Sequence, residues 1–163
     1  MPDSDELSTL KIRVADFTGV PDDGTVEQLR FLHRAIFADG REHEFVESLR
    51  GRSGIHGLIA CDRDDAVGYK IGYALDAKTY YSWMGGVLSG YRRRGIASDL
   101  LRRQHGWCAR QGYERIRTRT QNQWRGMLVL NIRCGFDVIA TEIDERGEHK
   151  IIMEKTLRRP CPD

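Results

Sequence analysis

Apolar residues fall at every second position early in the chain, at Leu10, Ile12 and Val14, which predicts a strand over 10–17. The spacing then changes. Val26, Leu29, Leu32 and Ile36 lie three or four apart and predict a helix over 25–38, opened at Gly24-Thr25 and closed at Asp39-Gly40. A shorter helix over 42–50 buries Phe45, Val46 and Leu49 and stops at Gly51. Three strands follow in quick succession, at 56–61, 67–75 and 79–88. The middle one alternates through Val67, Tyr69, Ile71, Tyr73 and Leu75. The turns Asp62-Arg63-Asp64-Asp65 and Asp76-Ala77-Lys78 make these strands an antiparallel meander. A helix over 94–111 lines up Ala97, Leu100, Leu101, Gln104 and Cys108. A strand at 115–120, a helix at 125–134 and strands at 136–141 and 150–155 complete the pattern. Strand, helix and strand across 80–120 require one parallel crossover in an otherwise antiparallel sheet. The fold class is therefore α/β (α+β): a mixed central sheet of about seven strands with helices on its faces.

Composition adds limits. With 163 residues, 40% hydrophobic and 31% charged, the chain suits one globular domain over 1–163 that needs no covalent staples. Residues 1–9 and 158–163 read as frayed ends. The first nine residues hold no apolar signal core, and no run reaches 18 apolar residues. The expectation is a cytoplasmic protein with no membrane partner. Cys61, Cys108, Cys134 and Cys161 form no C-x-x-C pair and have no histidine at ligand spacing, so they read as small core residues and no metal is expected. The net charge of +2 gives no global case for nucleic acid. Its distribution is uneven, however. Residues 92–133 hold eleven arginines and only two acids, Asp99 and Glu114, as suits a local anion-binding surface.

The densest chemistry lies where strand 79–88 meets the next helix: Val87-Leu88-Ser89-Gly90-Tyr91-Arg92-Arg93-Arg94-Gly95-Ile96-Ala97-Ser98. A helix N-terminus presents unpaired N–H groups and a partial positive charge. Gly95, Ala97 and Ser98 are small enough to let a ligand approach that backbone. The arrangement is an anion site of the phosphate-binding kind. It is neither G-x-x-x-x-G-K-[ST] nor G-x-G-x-x-G.

Arg92, Gly95 and Ala97 satisfy the pattern [QR]-x-x-G-x-[GA], which resembles the acetyl-CoA signature of GNAT-superfamily N-acetyltransferases. Val87 stands five residues before Arg92, as is usual in that family, and Asn131-Ile132-Arg133-Cys134-Gly135-Phe136 resembles the family's helix-to-strand ending. The order of elements agrees from residue 10 to 156. The resemblance implies the acyl-CoA N-acyltransferase fold. It also implies transfer of an acetyl group from acetyl-CoA, the cosubstrate, to a primary amine of an acceptor that the sequence does not identify. By position, Gly85, Val87 and Leu88 would run beside the pantetheine arm. Arg92, Arg93, Arg94, Gly95, Ile96, Ala97 and Ser98 would hold the pyrophosphate, with Asn122 and Asn131 near the arm.

Two positions depart from the family. Where many members carry a tyrosine that protonates the leaving thiolate, this chain has Asn131, an amide that can donate a hydrogen bond but not a proton. Where asparagine is common, it has Trp124. Asn131 and Glu44 are the candidate catalytic residues, Glu44 as the base for the amine among Glu42, His43, Glu44 and Glu47 on the second helix. Tyr80, Tyr81 and Trp83 alternate along strand 79–88, so one parity faces the site. Two other readings stay open: an acetyl-CoA sensor without transfer, and a basic module for nucleic acid or another anionic partner, using Arg92–Arg94, Arg102, Arg103, Arg115, Arg117 and Arg119. A homodimer is a further open expectation.

Overall fold

Seven strands pair in one sheet in the order β1-β2-β3-β4-β5-β7-β6. The computed structural model describes residues 10–157; the expected frayed ends and Cys161 lie outside them. The strands are β1 (Ile12–Thr18), β2 (His56–Asp62), β3 (Asp65–Ala74), β4 (Thr79–Val87), β5 (Arg115–Thr120), β6 (Asp137–Ile143) and β7 (His149–Thr156). The helices are α1 (Asp23–Phe37), α2 (Glu42–Arg50), α3 (Ile96–Arg110) and α4 (Arg125–Arg133). Among the described strands only β4 and β5 are parallel, joined through α3, as a single crossover requires.

Element ends moved for local reasons. α1 begins at Asp23 rather than Thr25, because Asp22 caps it, its carboxylate accepting from Thr25 N at 2.7 Å. α3 begins at Ile96 rather than residue 94. Arg93 and Gly95 have φ of 61° and 79°, which no right-handed helix accommodates. A 3-10 turn at Ser89–Tyr91, which the apolar pattern did not show, precedes them.

Alternation along the strands divides the core between two faces. Ile59, Tyr69 and Ile71 meet α1 and α2 through Leu29, Leu32, Phe45 and Leu49. Leu58, Ala60, Val67 and Val87 meet α3 through Ile96 and Leu100. Further along, Ile116, Ile151 and Met153 pack with Leu101 and Cys108 on the α3 side, beside Leu128 and Leu130 of α4.

Two irregularities shape the middle of the sheet. Ile71 pairs with Met84 but Gly72 pairs with Ser82, so Trp83 is an extra residue in β4, a bulge. In addition, β4 and β5 pair only at Thr79–Tyr81 with Arg115–Arg117 and then part. The sheet opens into a wedge toward the end of β4.

Candidate active site

The wedge exposes one edge of β4. Leu88 N donates to Val67 O, so by strand alternation the backbone groups of Val87 and Gly85 turn the other way, toward the gap. Two neighbours reach into that gap. Thr118 donates its hydroxyl to Ser82 O at 2.8 Å, and Arg92 Nε donates to Val87 O at 3.0 Å. The Arg92 side chain thus braces the loop on its own strand, and Val87 O keeps one lone pair for a further donor.

β4 delivers the chain into the N-terminus of α3. The N–H groups from Arg93 to Ser98 have no hydrogen-bond acceptor among the described residues. Gly95, at φ 79°, turns the backbone so that these groups follow one another around the helix start. Arg93 and Arg94 are exposed, the Arg94 guanidinium 5.8 Å from the centre of the Tyr91 ring. Tyr91 is tied in turn to Asp62 at 3.2 Å.

Between this loop and the wedge runs a narrow cleft, lined among others by Lys70, Gly85, Val87, Ala97, Met127 and Leu130. Gly85 is required there. A Cβ on it would come within 2.8 Å of Lys70 Cδ and of Tyr69 O. On the opposite face Gly86 lets Ile36 of α1 approach, where a Cβ would stand 2.7 Å from Ile36 Cγ2.

Of the residues singled out in the sequence, Gly85, Val87 and Ala97 therefore line one cleft, and Leu88, Arg92–Ile96 and Ser98 form the loop beside it. Asn131 is buried, and its amide is directed at Met153 Sδ, 3.9 Å away, rather than into the cleft lining. Asn122 is exposed in the turn after β5. Glu44 is exposed on α2 and makes no hydrogen bond or ion pair among the described residues.

The aromatic residues of β4 divide between faces. Tyr80 is fully buried, its hydroxyl accepting from His56 N. Tyr81 and Trp83 lie with Tyr73 and Phe45 on the α1–α2 face, and the Arg52 guanidinium covers the Tyr73 and Trp83 rings at 4.0 and 4.8 Å. The arginines of β5 are already partnered. Arg117 pairs with Glu154 at 2.7 Å, Arg119 with Glu142 at 2.6 Å, and Arg115 reaches Thr79 Oγ1. Two of the three charges along β5 are thus balanced within the sheet.

Lys70 gives no signal in the sequence. It occupies a polar-phase position between Tyr69 and Ile71, which in a one-sided sheet faces water. Here both faces are covered, and Lys70 is 8% exposed.

A sheet parted beside an unsatisfied helix N-terminus, with the arginine–glycine loop between them, has a counterpart in sequence: residues 25–128 match the model of the acetyltransferase (GNAT) family. The chain belongs to that family. Among its GNAT relatives, the N-alpha-acetyltransferase 50 of Danio rerio is 25% identical over 146 residues, 83% of this chain and 85% of its own. An aminoglycoside 6'-N-acetyltransferase complexed with coenzyme A has a TM-score of 0.75 at 16% identity, over 93% of this chain and 99% of that one. The ribosomal-protein-S18-alanine N-acetyltransferase of Escherichia coli has a TM-score of 0.74 at 13% identity, over 91% and 98%. At these identities the structural likeness is one of fold. No helix among the described residues of this GNAT chain is long and apolar enough to cross a membrane.

Proposed function

We propose that the protein transfers an acetyl group from acetyl-CoA to a primary amine. One observation carries this reading: the gap beside β4 leads directly to six consecutive backbone N–H groups without acceptors, at Arg93–Ser98. A pyrophosphate answers those N–H groups, and each bond to a charged oxygen contributes about 1.5–3 kcal/mol. An extended arm with alternating amides answers the free edge of β4, and Gly85 leaves it room. The fit to acetyl-CoA thus rests on backbone groups more than on the three arginines, of which Arg92 is held by Val87 O. The bound cosubstrate supplies an acyl group activated as a thioester.

The residues of this chain then have distinct tasks. The N–H groups at 93–98 hold the phosphates, with Arg93 and Arg94 free to add charge. The β4 edge at Gly85–Val87 aligns the arm and can offer an N–H to the thioester oxygen. The aromatic floor of Tyr73, Tyr81 and Trp83 on the α1–α2 face receives the acceptor, and Glu44 on α2 offers a carboxylate to its proton.

Peptide α-amines are the first acceptors to test. Their pKa is near 8, so a sizeable fraction is free base at neutral pH, whereas a lysine side chain near 10.4 is almost wholly protonated. An exposed carboxylate such as Glu44 suits the less demanding amine. The relative N-alpha-acetyltransferase 50 points the same way by name.

The decisive measurement pairs calorimetry of coenzyme A binding with a thiol-release assay over peptides, lysine derivatives and small polyamines. Micromolar binding with release dependent on one acceptor class supports the reading. Binding without release from any acceptor reduces the protein to a sensor. Steeply salt-dependent binding of nucleic acid without coenzyme binding replaces the reading altogether.

A further inference from the structure

Lys70 is a buried cation without a partner in the reaction cleft. It sits on β3 opposite Gly85 of β4, and its arm lies across that glycine, whose absent Cβ leaves the space. The arm thus leaves its own strand and runs over β4 toward the wedge. Its ammonium makes no hydrogen bond or ion pair among the described residues. The titratable group that faces it is His105 on α3, whose other charged neighbour is Lys155 on β7. β2 offers Leu58 opposite it, β4 offers Gly85, and α4 offers Met127 and Leu130. Lys155 donates to His105 Nδ1 at 3.1 Å and to Cys134 O at 2.7 Å, so it is engaged. No carboxylate is among these groups.

An uncompensated ammonium in an apolar cleft is costly and calls for an anion or a strong acceptor. Acyl transfer from a thioester creates one there, the departing sulfur. The residue that the family commonly uses to protonate it is an asparagine here, turned toward Met153. We infer that Lys70 is the catalytic acid of the transfer reaction, standing next to the thioester sulfur and protonating it as it leaves. This rests on the proposed function.

The step balances. The acceptor's free amine attacks the carbonyl carbon, the C–N bond forms, and the C–S bond breaks with its electron pair on sulfur. Lys70 Nζ gives one proton to that sulfur and becomes a neutral amine. The new amide nitrogen loses its surplus proton to the Glu44 carboxylate, which passes it on to water, and water returns one to Lys70. The acid lies on the α3 side and the aromatic acceptor floor on the α1–α2 side, so attack and departure occur on opposite faces of the wedge. Burial holds the Lys70 ammonium down to about 8, near the pKa of an ordinary thiol at about 8.5, which suits proton transfer between them.

The test uses the full chain, with Lys70→Met and Lys70→Arg as variants whose folding is checked by circular dichroism. The first readout needs no turnover: the ultraviolet absorbance of the bound coenzyme A thiolate is followed against pH. A cation beside the sulfur stabilises the thiolate, so the thiol should ionise at least one pH unit lower on the wild type than on Lys70→Met, and Lys70→Arg should retain the low value. The second readout is kinetic. Lys70→Met and Lys70→Arg should both lower kcat by about a hundredfold or more, with coenzyme affinity by calorimetry within about threefold. The wild-type kcat should decline above about pH 8, as the ammonium is lost, and this limb should vanish in Lys70→Met. Equal thiol ionisation in wild type and Lys70→Met, or a kcat that survives both substitutions, overturns the assignment while leaving the proposed function intact. Failure of the wild type to bind coenzyme A overturns both.

Discussion

Gly95 and Lys70 illustrate how a residue's role depends on backbone and burial rather than on its type. Gly95 has open space around its Cα, and its φ of 79° is what matters. A β-carbon in that left-handed region costs about 1–2 kcal/mol, and a carboxylate adds repulsion toward any phosphate at the neighbouring N–H groups. Gly95→Asp is therefore expected to weaken coenzyme A binding at least a hundredfold by calorimetry while the circular dichroism spectrum stays native. Wild-type affinity in that variant would remove the loop from the binding site. The cysteines are the opposite case, reactive in type and quiet in place. Cys61, Cys108 and Cys134 are free thiols, and burial pushes Cys108 up to about 12, so it stays protonated.

Helix starts and strand irregularities govern the elements. α1 depends on Asp22, whose carboxylate is held below its usual range first by the Thr25 backbone N–H. Asp22→Ala is expected to lower the midpoint of urea unfolding, without changing coenzyme affinity, because α1 meets the sheet on the face away from the cleft. An unchanged midpoint would mean that the cap is idle. In β4, the Trp83 bulge resets the phase of the strand. Tyr81 and Trp83 then share a face with Tyr73, while Ser82 turns to Gln104 on α3 at 2.6 Å. Simple alternation along 79–88 pointed to one parity facing the site. It did not locate the bulge, because a bulge is fixed by cross-strand pairing with β3 rather than by the strand's own pattern.

Three buried histidines tie the stability of the whole molecule to pH. His33, His56 and His105 are 2%, 1% and 7% exposed, and burial is the largest cause of a lowered pKa in each. Asp39 and Asp16 oppose the shift at His33 and His56, whereas Lys155 and Lys70 deepen it at His105, to about 3. A histidine whose folded pKa lies below its unfolded value near 6.5 binds its proton more readily in the unfolded chain. Its stabilising contribution is full above that pH and shrinks as the pH falls toward the folded value. The urea midpoint is therefore expected to be lower at pH 5 than at pH 7.5, and His105→Gln should flatten the difference. A midpoint equal at both pH values would contradict the burial of these rings.

The linear pattern by itself determined the number and order of the helices and strands, the single parallel crossover and the helix start near residue 95. Each of these follows from local spacing: period two, period three to four, and a glycine at a helix start. The tertiary structure decided what local spacing cannot carry. It withdrew Asn131 toward Met153, joined Arg117 and Arg119 to acids on β7 and β6, and spent Arg92 on Val87. It also brought a lysine from β3 across a glycine of β4 into the cleft. All four depend on register and on which face a second layer covers. A charged residue in a polar phase reads as solvated until helices on both sides of the sheet leave it no solvent to reach.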